Sequence, residues 1–113
     1  MIDLILYKTR DGIEPFTKWI EGLRSHEAES RIYKALAKIE AGHFGDAKPV
    51  GEGVHEIRIH FGPGYRIYYA YNGTEMVIIL GGSDKKSQQR EIKNAKKYWA
   101  DYKKCSAKRS TLG

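Results

Sequence analysis

Between residues 55 and 80 the chain runs through three successive apolar stretches, each junction marked by glycine. His55, Ile57, Ile59 and Phe61 fall on one face of the first stretch, with Glu56, Arg58 and His60 on the other. Tyr65, Ile67, Tyr69 and Tyr71 then alternate with Arg66, Tyr68 and Ala70. A period of two is the signature of a half-buried strand. Met76 to Leu80 is apolar at nearly every position, as a strand covered on both faces must be. Gly62-Pro63-Gly64 and Asn72-Gly73 supply the positive-φ positions of tight turns, and Asn-Gly is the strongest short hairpin signal. The chain is thereby committed to a three-stranded antiparallel meander.

The flanks supply what covers it. Ile2, Leu4 and Leu6 alternate with Asp3, Ile5 and Tyr7 as a further strand, which Asp11-Gly12 ends. Pro15 is tolerated in the first turn of a helix whose apolar stripe is Phe16, Trp19, Ile20 and Leu23. Ser25 reads as the N-cap of a second helix, with Glu27 and Glu29 near its positive end and Gly42 as its stop. Ala28, Ile32, Leu36 and Ile39 form the buried stripe. Residues 43–53, rich in glycine, read as a connecting loop. After Gly81-Gly82, Ser83 or Asp84 caps a third helix with Ile92, Ala95, Trp99 and Tyr102 on one side. The expected order is β-α-α-β-β-β-α, an α+β domain with helices packed on an antiparallel sheet. Residues 105–113 read as a disordered basic tail.

At 113 residues the chain holds one modest core. No apolar run approaches the roughly 20 residues of a membrane span, and with no basic region before an apolar stretch at the N-terminus no secretion signal is expected. Cys105 is a lone cysteine, which needs no oxidising compartment, so a cytoplasmic location is expected. His26, His43, His55 and His60 fit no ligand spacing, so neither metal nor cofactor is expected. The net charge of +6 is unevenly placed. Residues 84–113 hold ten basic and three acidic side chains, whereas residues 1–83 hold ten and eleven. Such a basic segment on a neutral body suits an anionic partner, though it equally describes a solvated helix face.

Counting back from a two-residue turn at Asn72-Gly73 pairs Tyr71 with Thr74 and Arg66 with Ile79. A three-residue turn at Gly62-Pro63-Gly64 pairs Phe61 with Tyr65, His60 with Arg66, and Arg58 with Tyr68. Arg58, His60, Arg66 and Tyr68 then share one face, Lys85 and Lys86 stand at its edge, and Leu80 ends beside Tyr65. Tyr65, Tyr69, Tyr71, Phe16, Trp19 and Trp99 are assigned to the core. Arg66 offers a planar fork for a phosphate, Tyr68 a ring or a hydroxyl, and His60 a group that titrates near neutrality. Alternating polar residues also simply mark a solvent face, and periodicity leaves both readings open.

Several stretches carry a resemblance: Glu14-Pro15-Phe16 with Trp19, Gly42-His43-Phe44-Gly45-Asp46, and Lys48-Pro49-Val50-Gly51-Glu52-Gly53-Val54. They continue through Glu56-Ile57-Arg58-Ile59-His60, Gly62-Pro63-Gly64-Tyr65-Arg66-Ile67-Tyr68-Tyr69 and Gly81-Gly82-Ser83-Asp84-Lys85. The chain resembles the RelE/ParE superfamily of toxin–antitoxin toxins, in the phage-derived, HigB-like "addiction module killer protein" branch. The resemblance implies a RelE-like fold in a single toxin domain over 1–104. It implies a toxin that is monomeric when free and neutralised by a helix-turn-helix antitoxin. Characterised relatives cut mRNA on the ribosome without a metal, by attack of a ribose 2′-hydroxyl on the adjacent phosphate. The implied catalytic set is Arg58, His60, Arg66, Tyr68 and Lys85, with Lys86, Arg90, Lys93, Lys96 and Lys97 binding RNA. Glu56 departs from the pattern, standing where RelE-like nucleases usually carry lysine. Ser87-Gln88-Gln89-Arg90-Glu91 lacks the Tyr or His those enzymes place there. A ParE-like poison of DNA gyrase and a binding module without toxicity are the alternatives.

Overall fold

The computed structural model describes the backbone of residues 1–112 and the side chains of residues 1–106; the tail expected over 105–113 lies mostly outside the described side chains. In chain order the elements are β1 (Asp3–Leu6), α1 (Pro15–Glu21), α2 (His26–Glu40), β2 (Ala47–Gly51), β3 (Val54–Ile59), β4 (Tyr65–Asn72), β5 (Met76–Asp84) and α3 (Gln88–Leu112). The strands form one sheet in the order β1-β5-β4-β3-β2. It is antiparallel except at one edge, where β1 runs parallel to β5. The mixed α+β architecture is that expected, with one strand more.

Three layers result. Phe16 and Ile20 of α1 and Ala28, Ile32 and Ile39 of α2 pack on Ile57, Ile67, Tyr69, Val77 and Ile79. On the opposite face Ala95 and Trp99 of α3 cover Val54, Tyr68, Ala70, Ile78 and Leu80. Consecutive residues of β5 therefore enter two different cores, which explains its unbroken apolar run. At the start of α2 the Ser25 hydroxyl accepts the Ala28 N–H at 3.1 Å. At its end Gly42, at φ +88°, allows the Gly42 N–H to reach the Ile39 carbonyl and the His43 N–H the Lys38 carbonyl.

Several expectations change. The loop expected over 43–53 contains β2, which pairs with β3; Pro49 is accommodated because β2 is an edge strand. The turn before β4 takes in His60 to Gly64, so Arg58 pairs with Arg66 and Ile59 with Tyr65. Asn72 stays in the sheet opposite Met76, and the turn is made by residues 73–75. A bulge beside Tyr68 and Tyr69 then shifts the register again, so Arg66 pairs with Ser83, not Ile79, and Tyr65 with Asp84, not a neighbour of Leu80. Finally, Gly81-Gly82 continues β5. Gly82 lies under α1, where an added Cβ would come within 2.2 Å of the Trp19 ring. Tyr65 and Tyr69 are buried as expected; Tyr71 is 43% exposed, its ring against His55, Phe44 and Tyr69 at the sheet margin.

Candidate functional site

The site grows from the end of the α3-covered face at which α3 begins. Inserting two residues into the turn before β4 preserves parity, so Arg58 and Arg66 remain on one face and become direct cross-strand neighbours. Their environments differ. Arg58 is exposed, with Nε 3.6 Å from Asp46 Oδ2. Arg66 is only 7% exposed; its Nη1 donates to the Gly64 carbonyl at 3.3 Å, and its Nε faces Glu56 Oε2 at 3.8 Å.

Glu56 is the residue that spacing did not place in the site, and it has no exposed surface. Gln88, at the start of α3, donates its amide to Glu56 Oε2 at 2.9 Å, and Lys48 Nζ from β2 stands 3.9 Å from Oε1. Neither Glu56 Oε1 nor Arg66 Nε has a hydrogen-bond partner. The carboxylate therefore occupies the anion position that the Arg66 fork would otherwise offer.

Tyr68 is fully buried and shares a 2.9 Å hydrogen bond with the Ser83 hydroxyl. Burial pushes its phenol above the ordinary value, against a lowering contribution from the Ser83 bond. Its ring lies in the α3 core, where no base can stack on it. His60 is exposed at the start of the turn, its Nε2 2.7 Å from Asp46 Oδ2. Lys85 and Lys86 are exposed just beyond Asp84, the partner of Tyr65. Asp84 Oδ1 accepts both the N–H and the hydroxyl of Ser87 at 2.9 Å; α3 begins after that turn rather than at Asp84. Those bonds hold the Asp84 carboxyl below its ordinary value.

Of the α3 cations expected to bind RNA, Arg90, Lys93 and Lys97 are exposed. Arg90 Nε pairs with Glu91 at 3.1 Å. Lys96 reaches across to Glu52 at 3.7 Å, tying α3 to the β2–β3 turn. Beside the arginine pair a cleft of about 390 Å³ opens between α2 and the end of β3, lined by Arg31, Lys34, Lys38, Asp46, Arg58 and His60 among others. Sequence reasoning missed the cleft because its cations come from the outer face of α2, where they look like ordinary helix solvation.

Asp46 thus joins Arg58 to His60, Arg66 lies across the strands from Arg58, and Tyr68 is set apart in the core. Chemically the open end can hold an anion with Arg58 and the flanking lysines and exchange a proton at His60. Among the described residues, no group of three His, Cys, Asp or Glu side chains is placed to hold a metal, and no helix is long and apolar enough to cross a membrane.

Residues 18–101 match the family described as Phage derived protein Gp49-like. A protein of Haemophilus influenzae, described only as uncharacterized, is 38% identical over 81 residues, covering 72% of this chain and 82% of that protein.

Proposed function

The chain belongs to the Gp49-like family of phage-derived proteins, within the RelE/ParE-like toxin superfamily, and from that premise we propose that it is the toxin of a toxin–antitoxin module that cuts mRNA on the ribosome. The observation that carries this reading is the direct pairing of Arg58 with Arg66 at the open end of the sheet, beside Lys85 and Lys86. The exposed Arg58 guanidinium suits a phosphate that gains charge as the 2′-hydroxyl attacks it, while buried Arg66 backs it from the adjacent strand. The exposed cations of α3 extend the positive field along the path a ribosomal RNA would take. A cognate helix-turn-helix antitoxin completes the proposed module.

Glu56 favours a second reading. A buried carboxylate on Arg66 subtracts charge where a nuclease needs it, whereas a toxin acting on DNA gyrase through protein contacts needs no phosphate clamp. One experiment separates the two. Purified protein in a translation extract is expected to cut message within the translated frame, and Arg58→Ala is expected to lower that cutting about a hundredfold. Intact message together with gyrase-dependent DNA breaks would overturn the endonuclease reading in favour of the second.

A further inference from the structure

Asp46 lies in the glycine-rich stretch before β2, yet it is firmly held. Its carbonyl accepts the Arg58 N–H at 3.0 Å, and its Oδ2 meets His60 Nε2 at 2.7 Å and Arg58 Nε at 3.6 Å. The His60 hydrogen bond, with help from Arg58 and Lys48 and against a smaller desolvation effect, holds the Asp46 carboxyl below its ordinary value. An ionised carboxylate only accepts hydrogen bonds, so Nε2 must be the donor. In the neutral ring the proton then sits on Nε2, leaving Nδ1 as a bare acceptor. No hydrogen bond to Nδ1 is present among the described residues. The other charged or titratable groups around the cleft are Glu27, Arg31, Lys34 and Lys38 from α2, and His43.

We infer that Asp46 is a positioning residue that fixes the His60 tautomer, so that Nδ1 takes the 2′-hydroxyl proton of a bound RNA. This rests on the endonuclease reading above. In the step, a bond forms between O2′ and phosphorus while the P–O5′ bond breaks. The 2′ proton passes to Nδ1, the departing O5′ takes a proton from water, and the hydroxide so formed recovers the Nδ1 proton, leaving a 2′,3′-cyclic phosphate, a 5′-hydroxyl and the neutral ring. Both residues are exposed, so their replacement spares the core.

The test combines a spectrum with a rate. Long-range proton–nitrogen spectra of the full-length protein at neutral pH are expected to show His60 protonated on Nε2, and Asp46→Ala to give mixed tautomers. In ribosome-programmed cleavage, Asp46→Ala is expected to lower the saturated rate about tenfold or more while KM stays within about twofold, with Asp46→Glu recovering part of the loss. Wild-type His60 protonated on Nδ1 would overturn the inference, as would wild-type cutting by Asp46→Ala. If the wild-type protein cuts no message, the proton-transfer role falls with the endonuclease reading, and the spectrum still decides whether Asp46 positions the ring.

Discussion

At the scale of single residues, the energetic weight falls on Glu56 and Arg66, both buried and 3.8 Å apart at their nearest polar atoms. Removing one partner of a buried pair leaves the other charge without compensation, which costs about 3–5 kcal/mol, whereas replacing both with apolar groups can be neutral. Urea unfolding is therefore expected to show Arg66→Ala and Glu56→Gln each destabilised by about 3 kcal/mol, with Glu56→Leu combined with Arg66→Met recovering most of the loss. Equal stability of Arg66→Ala and wild type would mean that the pair contributes no structural energy. An activity loss in Arg66→Ala is consequently interpretable only beside its stability. Asp84 offers a different handle. Its folded-state value is depressed below 3.8, so its contribution is complete above the unfolded-state value and fades as pH falls through the folded one. Asp84→Ala is expected to lower the urea midpoint at pH 7 and to approach wild type as pH falls through the depressed folded-state value, as linkage demands. A constant gap across that range would show that the Ser87 bonds do not depend on ionisation. Arg58 and Arg66 were legible as face-mates because a two-residue register shift leaves parity intact. The burial of Glu56 was not, since Gln88 reaches it from 32 residues away. Nor was Asp46, whose place before β2 reads as ordinary loop polarity.

At the scale of elements, local chemistry was readable and long-range register was not. The Ser25 cap, the Gly42 stop and the two-faced burial of β5 follow from propensity and patterning, so the sequence displays them directly. The meander's register depends on how many turn residues leave the ladder, and on a bulge, neither of which alternation reports. The edge strand β2 was hidden because Pro49, Gly45 and Gly51 are loop signals, while its pairing is dictated by the exposed edge of β3. Gly82 shows how such misreading happens: a glycine pair suggests a break, but this one exists for packing. With Trp19 ring carbons 2.2–2.6 Å from an added Cβ, Gly82→Ala must push α1 off the sheet. Thermal and urea unfolding should register a loss of about 2–3 kcal/mol, typical of overpacking, and Trp19→Leu should restore part of it in the double variant. Additive losses in that double variant would place the strain elsewhere. Ser25→Ala, by comparison, is expected to cost about 1 kcal/mol through its lost cap.

For the whole molecule, the arrangement of charge becomes a question about its partner. The basic excess sits almost wholly in residues 84–113, on an element whose apolar side is already used against the sheet. Its cations are not equivalent. Lys96 is drawn towards Glu52, and Arg90 towards Glu91, whereas exposed Lys93 and Lys97 have no acidic partner among the described residues. A phosphate-rich partner would release counterions chiefly through the free ones, lowering log K by about 0.7–0.9 per contact for each tenfold rise in salt. Ribosome binding measured across roughly 50–200 mM KCl should therefore weaken in Lys93→Ala and Lys97→Ala, each with a shallower salt slope, and change less in Lys96→Ala. The stability of Lys96→Ala should fall slightly, within about 0.5–1 kcal/mol, because an exposed ion pair contributes little. Slopes that match wild type in the first two variants would remove α3 from the RNA contact. A binding partner reached without salt dependence would direct attention to protein surfaces instead, where the buried Glu56 would no longer be an impediment.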